Sequence, residues 1–260
     1  MKNFTTAFIN ALIARNAVAP SKDIITAINN AKRYEKALDD VFASTAFAPV
    51  APVLLKRVAI ADRNQDRDGF IAVKVLVKIV STCVAIAQKN NALIDPYSDT
   101  IIKNLIGLQQ INNRDCLVSL SRSQSYSEQD ATKALISRYN CSAGTASTQM
   151  SSTRMTLEVL DICEIIKRKQ NDAIQFKDND RATAMKRVYV SASDLPAVVV
   201  DKLENELQSI DNAASEAQAL KAEKATDEPK AKPAKKAPAK RAPKAKPATG
   251  EAKPAQDSAQ

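Results

Sequence analysis

The residues that point most clearly to a chemistry lie in the C-terminal part of the chain. Between Pro229 and Ala248 every side chain belongs to Ala, Pro, Lys or Arg, and none is acidic. The eight cations of this stretch are Lys230, Lys232, Lys235, Lys236, Lys240, Arg241, Lys244 and Lys246. Each cation that contacts a phosphate releases condensed counterions, so a mobile run of them binds polyanions without reading sequence. We therefore expect these eight residues to bind nucleic-acid phosphates.

The same stretch lacks the residues needed to build a core. It has no aliphatic side chain larger than Ala, and Pro recurs every few residues. Pro interrupts helices, and the little apolar area available does not offset the entropy lost on ordering. We therefore predict that residues 221–260 form a disordered, polyproline-II-biased tail. A solubilising spacer or a protein-docking segment is the alternative role for it.

The composition of residues 221–255 resembles the Ala/Lys/Pro-rich tails of linker histones and of bacterial histone-like proteins. This resemblance is limited to the tail and rests on composition alone. It implies a tail that neutralises phosphates without sequence specificity, on DNA or RNA. No residues suited to membrane insertion accompany the charge, so we expect nucleic acid and not a membrane as the partner.

A second candidate site is the polar loop that contains Asn64 and Gly69. Oxygen-bearing side chains alternate there, a glycine follows them, and helices are predicted on both sides. This pattern resembles the first eight positions of an EF-hand calcium loop, and the resemblance implies these calcium ligands: Asn64, Asp66, Asp68 and the carbonyl of Phe70. The twelfth position is Val75, where the family has a bidentate Glu, which implies a weak site. The alternative is a metal-free turn between two helices.

Several classes of enzyme are excluded by residues that the chain lacks. It contains no His, which removes Ser-His-Asp and Cys-His catalysis and the usual zinc sites. The four glycines form neither of the two phosphate-binding glycine motifs. Carboxylate pairs such as Asp39–Asp40 and Asp178/Asp180 lie in polar surroundings that a solvated surface explains. We therefore predict a protein that is not an enzyme and has no cofactor, with calcium as the exception left open.

The positive charge is concentrated at the C-terminus. Of the net charge of +9, residues from Lys221 onward contribute about +6, with eleven basic and five acidic side chains. The rest of the chain is nearly balanced but contains a second basic group: Lys167, Arg168, Lys169, Arg181, Lys186 and Arg187. If a hairpin brought these six residues together they would form a phosphate-binding patch. Otherwise the first three are cations at the end of a helix, where the helix dipole favours them.

The elements that must position these groups are mostly helices. Aromatic residues make up only 4% of the chain and Trp is absent, so the core must be built from aliphatic side chains. Apolar periodicity and capping residues predict helices near 3–18, 21–44, 53–61, 70–90, 95–112, 113–120, from 127, 153–169 and from 193. In the segment 70–90, Lys74, Lys78, Ser81, Ala85 and Gln88 recur every three or four residues and mark a polar stripe on an otherwise apolar helix. We predict a buried helix and not a membrane span, because a span would have Lys74 and Lys78 inside it.

Two other segments are predicted to be non-helical. Alternating apolar residues near 173–190, with Ile174 and Phe176 before a polar turn and Val188 and Val190 after it, predict one short β-hairpin, with a helix in the middle of the segment as an equal alternative. The small polar residues 140–152 predict a loop and a candidate boundary within the body.

The cysteines and the N-terminus bear on the compartment. The four cysteines are far apart, and Cys83 and Cys163 lie on apolar stripes, as buried free thiols do. Free thiols favour a reducing compartment. A secretion signal is not expected, because Thr5, Asn10 and Arg15 interrupt the N-terminal apolar run. We expect an intracellular location, in cytoplasm, nucleoid or nucleus, or the interior of a virion.

Together these observations predict an all-α body over residues 1–220 followed by a disordered basic tail over 221–260. The expected function is that of a non-enzymatic, nucleic-acid-associated structural protein of the nucleoid, chromatin or virion-packaging type. One alternative is a helical assembly protein that binds other proteins or further copies of itself, with the tail as a spacer. The other is a weak calcium-binding adaptor.

Overall fold

The computed structural model describes residues 4–62, 66–121, 131–169 and 171–226. Helices account for most of these residues and confirm the predicted all-α class. The α-helices are α1 (Phe4–Val18), α2 (Lys22–Arg33), α3 (Glu35–Ala43), α4 (Ala51–Ile60), α5 (Arg67–Gln88), α6 (Pro96–Leu108), α7 (Asn113–Leu120), α8 (Ala143–Val159), α9 (Asp180–Arg187) and α10 (Ala197–Thr226). Short 3₁₀ turns lie at Ala48–Val50 and Asn91–Leu93.

A small antiparallel sheet accompanies the helices. Its strands are β1 (Gln110–Asn112), β2 (Cys163–Ile166) and β3 (Ala173–Phe176), and β3 lies in the middle. Ile174 of β3 stands opposite Ile111 of β1 and Ile165 of β2. The row formed by Ile111, Ile174 and Ile165 faces the core, since the first two are almost fully buried.

Helix α5 is the centre of the core. It packs against α2, α3, α4 and α8, and side chains such as Leu76, Ile79 and Cys83 are fully buried. By length and composition it could cross a bilayer. The helical segments 35–43 and 48–60 pass the same test together, although the chain bends by 102° between them. In α5, however, 67% of the apolar window is covered by the protein itself. The prediction of a buried helix is therefore confirmed.

Helix α1 also belongs to the core. Phe4, Phe8 and Leu12 are buried, and the helix packs against α2 and α4. The ring of Phe4 lies 4.6 Å from that of Phe42 on α3. The helix predicted over 21–44 is present but divided, because Tyr34 departs from helical geometry between α2 and α3.

The predicted β-hairpin near 173–190 is only half right. Residues 173–176 form β3 as expected, but the partner strand is β2, over 163–166. Residues 180–187 are helical, because Asn179 caps α9 by accepting a hydrogen bond from the backbone N–H of Ala182 at 2.9 Å. The alternation at Val188 and Val190 reflects the buried end of that helix and not a strand.

The assignment of residues 140–169 is also corrected. Helix α8 begins at Ala143, because Ser142 caps it, so most of the predicted loop over 140–152 is helical. The helix predicted over 153–169 ends at Val159, beyond which Asp161 has a positive φ of 55° and the chain turns into β2. Residues 140–152 lie inside the first of two units, Met1–Ala214 and Ser215–Gln260.

The segment after residue 130 is not the helix predicted to begin at Ser127. Residues 122–130 lie outside the described part, and residues 131–140 run without helical structure. Two buried polar side chains hold this segment. Asp115 accepts hydrogen bonds from the N–H and the hydroxyl of Thr132, both at 2.7 Å, and the amide oxygen of Asn104 accepts from the N–H of Ile136 at 2.7 Å. These contacts replace the backbone bonds that a helix would have made.

Helix α10 continues beyond residue 220, where the body was predicted to end. It extends through residues 221–226, which the sequence analysis placed in the tail, and the remainder of the tail lies outside the described residues. In its first half, Leu203 and Leu207 are buried against the body. From Asp211 to Leu220 its side chains are exposed.

Candidate nucleic-acid interface

The eight predicted phosphate-binding residues of the tail lie outside the described part of the chain. They are Lys230, Lys232, Lys235, Lys236, Lys240, Arg241, Lys244 and Lys246. The helix that precedes them is fixed to the body within the first unit by two ion pairs. Lys186 on α9 contacts Glu206 on α10, and Arg187 contacts Asp211, both at 2.5 Å.

The second basic group is divided between two places. Lys167, Arg168 and Lys169 lie in the loop between β2 and β3, and not at the end of a helix. Arg181, Lys186 and Arg187 lie on α9 near the opposite end of β3, where Lys186 approaches the ring of Phe176. These three pair with Asp161, Glu206 and Asp211 respectively. The six residues therefore do not form the combined patch that was one of the two alternatives.

The loop between β2 and β3 is held by the carboxylate of Asp172. One oxygen accepts from the ammonium of Lys167 at 3.0 Å, and the other accepts from the backbone N–H of Arg168 at 3.2 Å. These two hydrogen bonds, the Lys167 bond first, hold the pKa of Asp172 below its ordinary value. The backbone carbonyl of Asp172 in turn accepts from the N–H of Asn113 at the start of α7, at 2.9 Å.

Further cations reach the same place from neighbouring elements. Gln110 of β1 accepts two hydrogen bonds, one from the guanidinium of Arg168 at 2.6 Å and one from the ammonium of Lys133 at 3.1 Å. The backbone N–H of Arg114 donates to the side chain of Asn171, at 3.2 Å. We call this surface the hairpin-loop patch and define its cations as Arg114, Lys133, Arg154, Lys167, Arg168 and Lys169.

Acidic side chains are fewer than cations in the hairpin-loop patch. Among the described residues, Asp172 pairs with Lys167 and lies 3.8 Å from Arg154, and Glu164 accepts from Gln175 in the adjoining sheet row. All the cations except the half-buried Arg154 are exposed, and the side chain of Lys167 is 79% accessible to solvent. The patch therefore carries an excess of positive charge on a surface that solvent reaches.

A separate polar cluster lies in the interior, where sequence reasoning placed only a polar stripe. The ammonium of Lys78 on α5 is 2.6 Å from Asp95 and 3.0 Å from the hydroxyl of Ser98, which contacts the hydroxyl of Thr153 at 2.9 Å. Burial lowers the pKa of Lys78 below its ordinary value, and the Asp95 carboxylate opposes that shift. A lysine beside a serine is a nucleophile arrangement in some enzymes. Ser98, however, is only 2% exposed, so a substrate does not reach it.

Lys103 on α6 forms the second half of this interior cluster, and the sequence analysis did not single it out. Its ammonium donates to the carboxylates of Asp99 and Asp194. The hydroxyl of the fully buried Tyr189 donates to Asp99 at 3.0 Å. Lysines inside apolar runs were the available signal, because a buried ammonium needs carboxylate partners. The cluster joins α5, α6 and α8 to the segment before α10.

The candidate calcium loop is described from Asp66 onward, and Asn64 lies outside the described residues. Asp66 is the N-cap of α5 and accepts from the N–H of Gly69 at 2.6 Å. Asp68 is exposed in the first helical turn, and Phe70 is already within the helix. The described residues include no group of three or more acidic or Cys side chains arranged to hold a metal. Neither alternative, the weak calcium site or the metal-free turn, is tested by these residues.

Gly69 has a packing role in this arrangement. A Cβ at this position would overlap the backbone carbonyl oxygen of Asp62, in the connection that follows α4. The glycine therefore allows close approach of two backbones and is not placed here for a positive φ.

The four cysteines are free thiols, as predicted. Cys83, Cys116 and Cys163 are buried, and burial raises the pKa of Cys83 and of Cys116 to about 12. The pKa of Cys163 is raised for the same reason. Thiols with such pKa values remain protonated and unreactive near neutral pH.

One open pocket of about 370 Å³ lies between α3, the end of α5 and α9. Apolar side chains such as Val41, Phe47 and Ile86 line it, and Asp40 is the one ionisable residue among its lining residues. It therefore brings together no acid–base pair.

The described body is an all-α fold with a small accessory sheet. No known protein family matches the chain, and no curated protein or solved structure is similar to it. This agrees with the sequence analysis, in which resemblances were limited to the tail and to one short loop.

Proposed function

We propose that this protein is a non-enzymatic structural protein that binds the phosphate backbone of DNA or RNA through its basic tail, without sequence specificity. The observation that carries the proposal is the run of eight cations without an acid between Pro229 and Ala248. A nucleoid, chromatin or virion-interior packaging role follows from that activity, in an intracellular or virion-interior location. Neither a membrane nor a cofactor takes part.

In this proposal the body anchors the tail and does not act as a catalyst. Its two buried lysine ammonium groups have carboxylate partners, Lys78 with Asp95 and Lys103 with Asp99, and both side chains are only 5% exposed. The buried half of α10 anchors the helix that leads to the tail. Phosphate contacts made by a tail of this kind position a protein on nucleic acid but carry no sequence information.

The test replaces all eight tail cations by Gln in the full-length chain, which keeps the length and the Pro content of the tail. Affinity for a random-sequence DNA duplex and for a single-stranded RNA is then measured by fluorescence anisotropy at low salt. We expect a loss of about 10³-fold or more, because six to ten phosphate contacts supply most of such an affinity. Unchanged affinity would refute the proposal and leave the tail as a spacer.

A second candidate function, assembly with other proteins or with further copies of the chain, has its own observation. Large apolar side chains are exposed on α1 and α4: Ile13, Val18, Val53 and Ile60. The ends of these two helices lie together, since Arg15 forms an ion pair with Asp62 at 3.1 Å. Exposed apolar residues that cluster mark interaction surfaces. Analytical ultracentrifugation of the native chain and of Val18→Asp/Ile60→Asp tests this function, and a monomer in both would argue against self-assembly.

A further inference from the structure

We propose that the hairpin-loop patch is a second phosphate-binding surface, located on the body, that contacts the same nucleic acid as the tail. This inference rests on the proposed function, and it names a further part of the binding site. The first argument is the position of the basic run. A helix end would explain Lys167, Arg168 and Lys169 through the helix dipole, but they lie in the loop of a hairpin, where no dipole favours them.

The second argument is that the loop is held in shape before any ligand arrives. Asp172 bonds to Lys167 and to the backbone of Arg168, and its own carbonyl bonds to Asn113 on α7. Ordering a flexible cation costs side-chain entropy, and a cation already held in place avoids part of that cost. The loop therefore presents Lys167 and Arg168 in an arrangement that exists before a ligand binds.

The third argument concerns the orientation of Arg168. Its guanidinium donates to the side-chain oxygen of Gln110, whose amide donates to Gln175 at 3.3 Å, and Gln175 donates to Glu164. This row of side chains crosses all three strands, because Gln110, Gln175 and Glu164 are register partners. A guanidinium has five N–H donors, so the bond to Gln110 leaves others for a phosphate.

Two other basic groups of the described body have acids among or beside them. On α9, each of Arg181, Lys186 and Arg187 has a carboxylate partner. The group Lys32, Arg33 and Lys36 alternates with Glu35, Asp39 and Asp40. Among the described residues of the hairpin-loop patch, six cations accompany the carboxylates of Asp172 and Glu164, with the buried Asp115 next to Arg114, and none of these residues is aromatic. Excess positive charge without aromatic groups suits a phosphate backbone and not base readout.

The test compares two triple variants with equal loss of charge. The patch variant is Lys167→Gln/Arg168→Gln/Lys169→Gln, and the matched control is Lys32→Gln/Arg33→Gln/Lys36→Gln. Both are made in the full-length chain whose eight tail cations are already Gln, so that the contribution of the body is measured alone. Circular dichroism and thermal melting verify that each variant folds. The single variant Lys169→Glu repeats the test without removing either bond to Asp172.

We expect the patch variant to lose about tenfold or more of the remaining affinity for a random-sequence duplex at low salt, and its salt slope to become shallower by up to about 2.7. The control should lose far less. Equal losses in the two triple variants would overturn the proposal, because the affinity would then depend on the net charge of the chain and not on the position of the cations. No measurable binding by the tail-neutral chain would overturn it as well. Tighter binding of polyglutamate than of DNA and RNA would also overturn it, because the partner of the patch would then be an acidic protein.

Failure of the tail proposal is distinguishable from failure of this inference. If neutralising the tail leaves the affinity unchanged, the tail proposal fails, while the comparison of the two triple variants still decides the role of the patch.

Discussion

The ion pair between Lys78 and Asp95 gives the sharpest prediction about the body. The Lys78 side chain is 5% exposed and that of Asp95 is 25% exposed, at a separation of 2.6 Å. Asp95→Asn removes the negative charge but keeps an N-cap, since Asn caps helices as well as Asp does. The substitution therefore leaves a buried ammonium without its counter-charge. We expect a loss of about 3–5 kcal/mol in the free energy of unfolding.

The opposite substitution should cost less. Lys78→Met fills a similar volume, and the Asp95 that remains, whose side chain is 25% exposed, still accepts from the N–H of Ser98 at 3.1 Å. Ser98 also keeps its contact with Thr153. We therefore expect a loss of about 1–2 kcal/mol, below the usual cost of breaking a buried pair. The double variant should be more stable than Asp95→Asn alone, because it contains no buried charge at this position.

Urea unfolding followed by circular dichroism measures these differences, and an unchanged m-value shows that the midpoints report stability. The unsubstituted chain, the two single variants and the double variant form a complete cycle. A loss below about 1 kcal/mol for Asp95→Asn would refute the reasoning, since a desolvated lysine would then not need its partner. So would additive losses in the double variant.

Three further predictions concern other elements. Gly69→Ala should destabilise the protein by about 1–3 kcal/mol because its Cβ meets a backbone carbonyl, whereas Gly144→Ala, with open space around it, should be neutral or stabilising by up to about 1 kcal/mol. Stability should fall as pH rises from about 9 towards 12, because folding raises the pKa of Cys83 and Cys116 to about 12 and the folded state then holds protons that the unfolded state has released. The combined Cys83→Ala/Cys116→Ala variant should show a smaller fall, and equal slopes in pH-dependent urea unfolding would contradict this. Calorimetric titration with millimolar calcium should give no heat, since Asp66 is used as a helix cap, and measurable heat would restore the calcium-adaptor alternative.

The parts of the fold that the sequence predicted correctly have strong periodic signals. Helix α5 was identified because Lys74 and Lys78 mark a narrow polar stripe on an otherwise apolar segment. Helix α6 was identified because Asp95 and Pro96 are a recognisable start. In both cases local preference and burial favour the same structure, which is when sequence reasoning succeeds.

The parts that were wrong depend on contacts between distant segments. Residues 131–140 follow the buried Asp115 and Asn104, and nothing in the local sequence reveals those partners. Helix α8 contains many Ser and Thr residues, which favour loops in isolation, yet Ser152, Thr153 and Thr156 are buried and form hydrogen bonds. Tertiary contacts there outweigh the propensity of the residues.

The candidate sites were predictable to different extents. The charge of the tail is visible in composition alone, because phosphate contacts made by a run of cations depend on charge and not on a fold. The basic run at Lys167 was noticed, but its setting was wrong, because the strand β2 was taken as the end of a helix. Arg114 and Lys133 could not be assigned to that run, because contacts with Asn171 and Gln110, which are distant in sequence, bring them next to it.

The central claim is that the tail binds phosphates, and the salt dependence of binding tests it most directly. The association constant for a random-sequence DNA duplex is measured between about 50 and 200 mM salt for the native chain and for the chain with Gln at the eight tail positions. We predict that the native chain has a log–log slope steeper by up to about 7, or about 0.9 for each phosphate contacted. Equal slopes for the two chains would contradict the account, because the tail would then contribute no phosphate contacts.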